Sequence, residues 1–235
     1  NNAAMTPKYK ISLLFTILLP ILLTAQSTVL SNKPFNIFTL GDSNGSYPHS
    51  WPKQLQIALP NASVFNISKG GRTIGFVNNG DSSLNSLIAL DANLKAAAEH
   101  TKDKPYDYIV IDLGTNDGKA VFSNRQKEVA PNLELLIQRI QSASYTSISK
   151  ATIIIIAPTP YGEKAEATEK YKGGNERVKA MSKAFKKIAK RHHCLFVDGY
   201  KTPGLNINTM TEDGLHLDAT ASRKLIEPVV ALMNK

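Results

Sequence analysis

The chain has 235 residues, 42% of them hydrophobic and 20% charged, which supplies a full core and excludes a disordered chain. Its formal net charge is +9, yet the basic residues are dispersed, and the densest run, 183–193, carries Ala184, Phe185, Ile188 and Ala189 at helical spacing. That run reads as an amphipathic helix with a solvated basic face; with no basic groove interleaved with aromatics, a nucleic-acid partner is excluded. The one cysteine, Cys194, rules out an intramolecular disulfide and, inside an apolar run, reads as a core thiol. Adjacent His192 and His193 cannot face a single ion, so no metal and no cofactor is expected.

In chain order, the first element is a leader. Lys8 and Lys10 precede the apolar run 11–23, which is followed by small and polar residues at 24–27. A basic flank, a short apolar run and a small residue at a cleavage point describe a secretory signal peptide. Residues 1–25 are therefore expected to be an expression remnant, with Met5 as the natural start, plus that leader. Loss of Lys8 and Lys10 takes the charge from +9 to +7. A secreted or periplasmic protein follows. An uncleaved anchor is the weaker alternative, because the apolar run falls short of the roughly 20 residues of a membrane span. No stable membrane insertion is expected once the leader is removed. Residues 26–34 read as a linker and 35–235 as one domain.

Within that domain strands and helices alternate. Residues 35–40 form a strand, 51–59 a short helix with Pro52 in its first turn, and 62–67 a second strand. After a Gly-rich loop at 69–81 comes a helix over about 84–100, with Leu87, Leu90, Leu94 and Ala98 along one side. Residues 106–113 are the third strand. The helix over about 128–142 shows Leu133, Leu136, Ile137 and Ile140 at i, i+3, i+4, i+7. Residues 152–156 are a strand whose unbroken β-branched run suits a sheet covered on both faces. A polar insertion (161–174), the basic helix, the Cys194 strand and a last helix over 220–233 complete the chain. This alternation predicts an α/β fold: a flavodoxin-like, doubly wound parallel sheet of five strands in order 2-1-3-4-5, with helices on both faces.

Such sheets place ligands outside the carboxyl ends of their strands. The residues that fall there are Asp42-Ser43-Asn44, Gly70-Gly71-Arg72-Thr73, Gly114-Thr115-Asn116-Asp117 and, before the last helix, Asp213-Gly214-Leu215-His216. Together they supply the parts for acyl transfer. Ser43 offers a nucleophile that needs a base, His216 can take its proton, and Asp213 can hold the other ring nitrogen. The backbone N–H groups of Ser43 and Gly71 and the Asn116 amide can converge on an oxyanion.

These blocks, LGDSN at 40–44, GGRT at 70–73, GTND at 114–117 and DGLH at 213–216, resemble those of the SGNH hydrolases, a branch of the GDSL esterase and lipase superfamily. The resemblance runs from about residue 35 to the C-terminus. It implies Ser43, Asp213 and His216 as the catalytic triad, Gly71 and Asn116 with Ser43 as oxyanion donors, and the same flavodoxin-like sheet. Asn44 stands where the usual block has Leu, and Gly70 remains an alternative to Gly71.

Each block alone is weak: Gly-Asp-Ser is also an ordinary strand-to-loop turn, and a lone His is more often structural. Their conjunction in order, each at an expected strand end, carries the reading. The loops around the site (47–51, 73–81, 161–174) are polar, with Asn44, Arg72 and Tyr161 as candidate substrate contacts, Asn78, Asn79 and Lys164 also available to hydrogen-bond sugars, and Tyr47 or Trp51 available to stack on a sugar ring, a core role for Trp51 being at least as well supported. A small ester or acetylated glycan is the expected substrate, of the kind taken by bacterial carbohydrate esterases. The alternatives are a lysophospholipase or thioesterase on the same fold, an acyl transferase, and a non-catalytic binding protein.

Overall fold

Four consecutive isoleucines, 153–156, alternate between two apolar layers. Ile153 and Ile155 join one core, Ile154 and Ile156 the other. Such a run is fully buried only in a sheet covered on both faces, where each side chain contributes about 1.5–3 kcal/mol. The computed structural model that shows this describes residues 34–234. The leader expected over 1–25 and the linker as far as residue 33 lie outside the described residues.

The strands are β1 (Asn36–Gly41), β2 (Ser63–Asn66), β3 (Tyr108–Asp112), β4 (Thr152–Ile156) and β5 (Leu195–Val197). The helices are α1 (Ser43–Ser46), α2 (Trp51–Ala58), α3 (Ser86–Thr101), α4 (Gln126–Gln141), α5 (Thr146–Ser149), α6 (Glu163–Glu166), α7 (Gly174–Arg191) and α8 (Ala219–Met233). All strands pair in parallel in the order β2-β1-β3-β4-β5. This is the flavodoxin-like α/β sheet expected from the strand–helix alternation.

One core packs Phe38, Leu40, Ile109, Ile111, Ile153 and Ile155 against α3, α4 and α7. The other packs Ile37, Val110, Ile154, Ile156 and Val197 against α2 and α8, with Trp51 fully buried in it. Caps set the helix starts: Asn85 Oδ1 accepts from the Leu87 and Ile88 N–H groups, and Asp218 from that of Ala221. The Lys183, Lys186, Lys187 and Lys190 side chains lie on the exposed face of α7, whose Val178, Phe185 and Ile188 are buried. Cys194 is half-buried against the first core, and burial pushes its thiol up to about 11. Among the described residues no helix is long and apolar enough to cross a membrane.

Candidate active site

β1 ends at Gly41, and the chain turns at once into α1, so Ser43 occupies the first position of a one-turn helix. Asp42 caps that helix, its Oδ1 accepting the Asn44 N–H at 2.9 Å. A turn had been expected here. The Asp-Ser-Asn order is a helix-start signal that would have revealed the cap. The Ser43 amide thus sits at a helix N-terminus, where N–H groups lack intrahelical acceptors.

The other parts arrive from distant loops. Ser43 Oγ lies 3.0 Å from His216 Nε2, and His216 Nδ1 lies 2.5 Å from Asp213 Oδ2. Asp213 Oδ1 also accepts the N–H groups of Leu215 (2.9 Å) and His216 (2.8 Å). Partial burial pushes the Asp213 carboxyl up, but the His216 and Leu215 donors outweigh it and leave it below the usual carboxylate range. With Nδ1–H held by an ionised carboxylate, Nε2 presents a lone pair to the serine hydroxyl. The arrangement can accept a proton from Ser43 and stabilise the resulting imidazolium.

Gly71 has φ +81°, a conformation that favours glycine, whereas a Cβ at Gly70 would meet nothing within 4 Å. Its carbonyl accepts from Asn78 Nδ2 at 2.6 Å, and Asn78 Oδ1 accepts from Lys119 Nζ at 3.3 Å. Asn116, 4% exposed, donates one amide hydrogen to the Arg72 carbonyl at 3.1 Å, which holds the Gly-rich loop to the end of β3. The second hydrogen of that amide remains for a ligand. Sequence reasoning missed both Asn78 and Lys119 as supports of the Gly71 peptide, since nothing in a polar loop marks which side chain faces inward.

Beneath these groups lies a buried ionisable cluster. Burial pushes Asp42 up to about 6 and Asp117 to about 7, and raises Asp112 as well, with Asp42 adding repulsion. Burial lowers Lys119 to about 8. Asp117 takes the Ile74 N–H on its carboxyl oxygens, at 3.0 and 3.1 Å, tying the end of β3 to the loop after Gly71.

The three expected substrate contacts are turned into the protein. Asn44, Arg72 and Tyr161 are buried at 4%, 4% and 3% exposure. Asn44 bonds the backbone of Leu215 and Leu217, Arg72 donates to the Ile67 carbonyl at 2.7 Å, and the Tyr161 hydroxyl donates to the Thr115 carbonyl. Their bonded polar atoms meet protein carbonyls and amides, Arg72 Nε is buried without a hydrogen-bond partner among the described residues, and none of the three lines the cavity beside His216. Trp51, with no exposed surface, is likewise core rather than a sugar platform. The exposed aromatic beside the site is Tyr47, edge-on to His216 at 5.4 Å and stacked on His49 at 5.8 Å. These three line an open cavity of about 660 Å³ with Glu212, Asp213, Leu217 and Asp218. Lys164 is tied to the Glu212 carbonyl at 2.9 Å.

A search of curated proteins returned no match. Among solved structures, Est24, a carbohydrate acetylesterase from Sinorhizobium meliloti, superposes with a TM-score of 0.71 at 22% identity, over 85% of this chain and 98% of that one. A carbohydrate acetylesterase family member from the same organism gives 0.70 at 24%, over 85% and 99%. The aryl esterase of M. smegmatis gives 0.69 at 21%, over 85% and 98%. At these identities the likeness is one of fold. The profile of the GDSL-like lipase/acylhydrolase family matches residues 35–224, most of the chain. The chain therefore belongs to the GDSL-like lipase/acylhydrolase family and is a serine ester hydrolase of the SGNH type.

Proposed function

We propose that this esterase is secreted and removes O-acetyl groups from a carbohydrate through an acyl-enzyme on Ser43. The observation that carries the reading is the unbroken contact from Ser43 Oγ through His216 to Asp213, opening on the cavity walled by Tyr47 and His49. In the first half-reaction Ser43 Oγ attacks the acetyl carbonyl while His216 Nε2 takes its proton. Asp213 holds the Nδ1–H and stabilises the imidazolium. The tetrahedral oxyanion is met by the N–H groups of Ser43 and Gly71 and the free Asn116 amide hydrogen. Imidazolium then protonates the departing sugar oxygen, and in the second half-reaction His216 deprotonates the water that releases acetate.

The sugar reading is supported by the cavity wall: Tyr47 offers a ring face, Glu212 and Asp218 offer acceptors, and Leu217 supplies the aliphatic part. That composition suits a hydroxylated ring rather than an acyl chain. Two of the structural relatives are themselves named as carbohydrate acetylesterases. Secretion rests on the basic-apolar-small pattern at residues 8–27.

The test is acetate release from acetylated xylan, pectin, mannan, sialic acid and peptidoglycan, with Ser43→Ala as control. Release from at least one glycan, abolished in the variant, is the expected result. Cleavage of p-nitrophenyl acetate with no acetate from any glycan would overturn the carbohydrate assignment. A rate that rises with acyl-chain length would transfer the reading to lysophospholipids or thioesters. N-terminal sequencing of the exported protein checks the leader.

A further inference from the structure

We infer that Asn44 is a positioning residue, a clamp that sets the distance between nucleophile and base. Asn44 is the residue after Ser43, buried in α1, and its own N–H is fixed by the Asp42 cap. Its side chain reaches across 171 to 173 positions of sequence to the loop that carries His216. There Nδ2 donates to the Leu215 carbonyl at 3.3 Å, and Oδ1 accepts the Leu217 N–H at 2.9 Å. The two bonds bracket His216 on either side.

A strand neighbour pairs in this way, taking the carbonyl before a residue and the N–H after it, and here one amide plane does the work of a strand. The task demands a donor and an acceptor side by side, which Asn provides; a carboxylate or an aliphatic side chain does not. The bracketed stretch is also held by the Gly162 N–H to Gly214 carbonyl bond at 2.8 Å and by a bridge between Thr211 and Leu217, and it packs in two different directions. Leu215 packs in the core on the α3, α4 and α7 side, and Leu217 in the core on the α2 and α8 side. None of those backbone bonds involves α1. The amide clamp sets the height of the loop above Ser43, because it starts one residue from the nucleophile and ends on the peptides flanking the base.

α1 is itself held from the opposite side. Asn66 Nδ2 donates to the Gly45 carbonyl at 2.8 Å, and Asn66 Oδ1 accepts from Thr39 Oγ1 at 2.9 Å. The clamp therefore pulls the base loop onto a fixed support rather than tying two loose segments together.

The inference rests on Ser43 acting with His216 and Asp213, so Ser43→Ala is measured beside the clamp variants. The variants are Asn44→Leu, which removes both bonds at similar volume, and Asn44→Asp, which keeps an acceptor for Leu217 but sets an oxygen against the Leu215 carbonyl. Turnover of p-nitrophenyl acetate and the rate of fluorophosphonate labelling are followed well below the thermal midpoint of each variant. Asn44→Leu should lower kcat and labelling about 100-fold with KM within about twofold, the signature of misplaced reacting groups. Asn44→Asp should fall between it and wild type.

A folded Asn44→Leu protein with a lower thermal midpoint but wild-type kcat and labelling would overturn the clamp and leave Asn44 as packing. If Asn44→Leu does not fold, wild-type kcat in Asn44→Asp has the same force. A Ser43→Ala protein that still turns over would instead overturn the site reading, and the clamp with it.

Discussion

The two halves of the site are built differently. The floor, at the carboxyl ends of β1 and β3, is buried: Asp42, Thr115, Asn116 and Asp117 are exposed by 4% or less, Asn116 and Asp117 hold backbone groups of the Gly-rich loop, and Asp42 caps α1. The loop bearing His216 is open, with the Asp213 and His216 side chains exposed by 49% and 32%. It is held by its own internal bonds, by Asn44 and by the Gly162 N–H to Gly214 carbonyl contact at 2.8 Å. In the floor, stability and chemistry share the same hydrogen bonds, whereas in the loop they are separable.

The largest effect should come from the loop. Asp213→Asn keeps the shape of the side chain but supplies an amide where the Nδ1–H needs an acceptor, so kcat should fall about 10⁴-fold. The thermal midpoint should move little, because the carboxylate is half in solvent. A large midpoint drop would erase the contrast.

Asn116→Ala should lower kcat about 100- to 1,000-fold, the loss expected for one oxyanion donor. Unlike the loop variant it should also lose stability, by about 1–3 kcal/mol, because it leaves the buried Arg72 carbonyl without its donor. Kinetics and urea denaturation on one preparation check both halves. Loss of rate without loss of stability would make Asn116 a member of the loop class.

The smallest effect concerns pH. Asp117 sits at about 7 in the fold against an ordinary 3.8. The folded chain therefore binds that proton more tightly than the unfolded chain. Its contribution to stability is complete below 3.8 and is lost as pH rises through about 7. Melting curves across that window should show falling stability, and Asp117→Asn should flatten the slope. An unchanged slope in the variant would assign the effect to the other carboxyls that burial raises, Asp42 and Asp112.

The sheet was legible because its signals are local and redundant. The run at 152–156 admits one kind of environment, and the strand occupies those residues. The helix expected over about 84–100 runs from Ser86 to Thr101, displaced at its start by the Asn85 cap. The site was legible at the level of which residues lie at which strand ends. Direction was not. Arg72 and Tyr161 belong to polar loops, and a polar loop in sequence does not say whether a given donor meets solvent or a buried carbonyl. Tyr47 and Trp51 posed the same problem with opposite outcomes, since Trp51 begins α2 and turns into the core while Tyr47 stays at the mouth. Asn44 was the hardest to read, because its partners lie more than 170 residues away and are backbone atoms with no side-chain signature.

Asp213 and His216 come from one tight turn, in which a single carboxylate takes both the imidazole and the turn's own amides. The imidazole and the carboxylate that orients it therefore form one cartridge. If the turn swings away from Ser43, the pair inside it stays assembled and the tautomer stays chosen, so what is lost is docking and not preparation. An enzyme of this build can be silenced by a displacement of a few ångströms and restored without rebuilding its proton acceptor. Changes in the insertion that meets Gly214 through Gly162 would act as a throttle on catalysis rather than as damage to it.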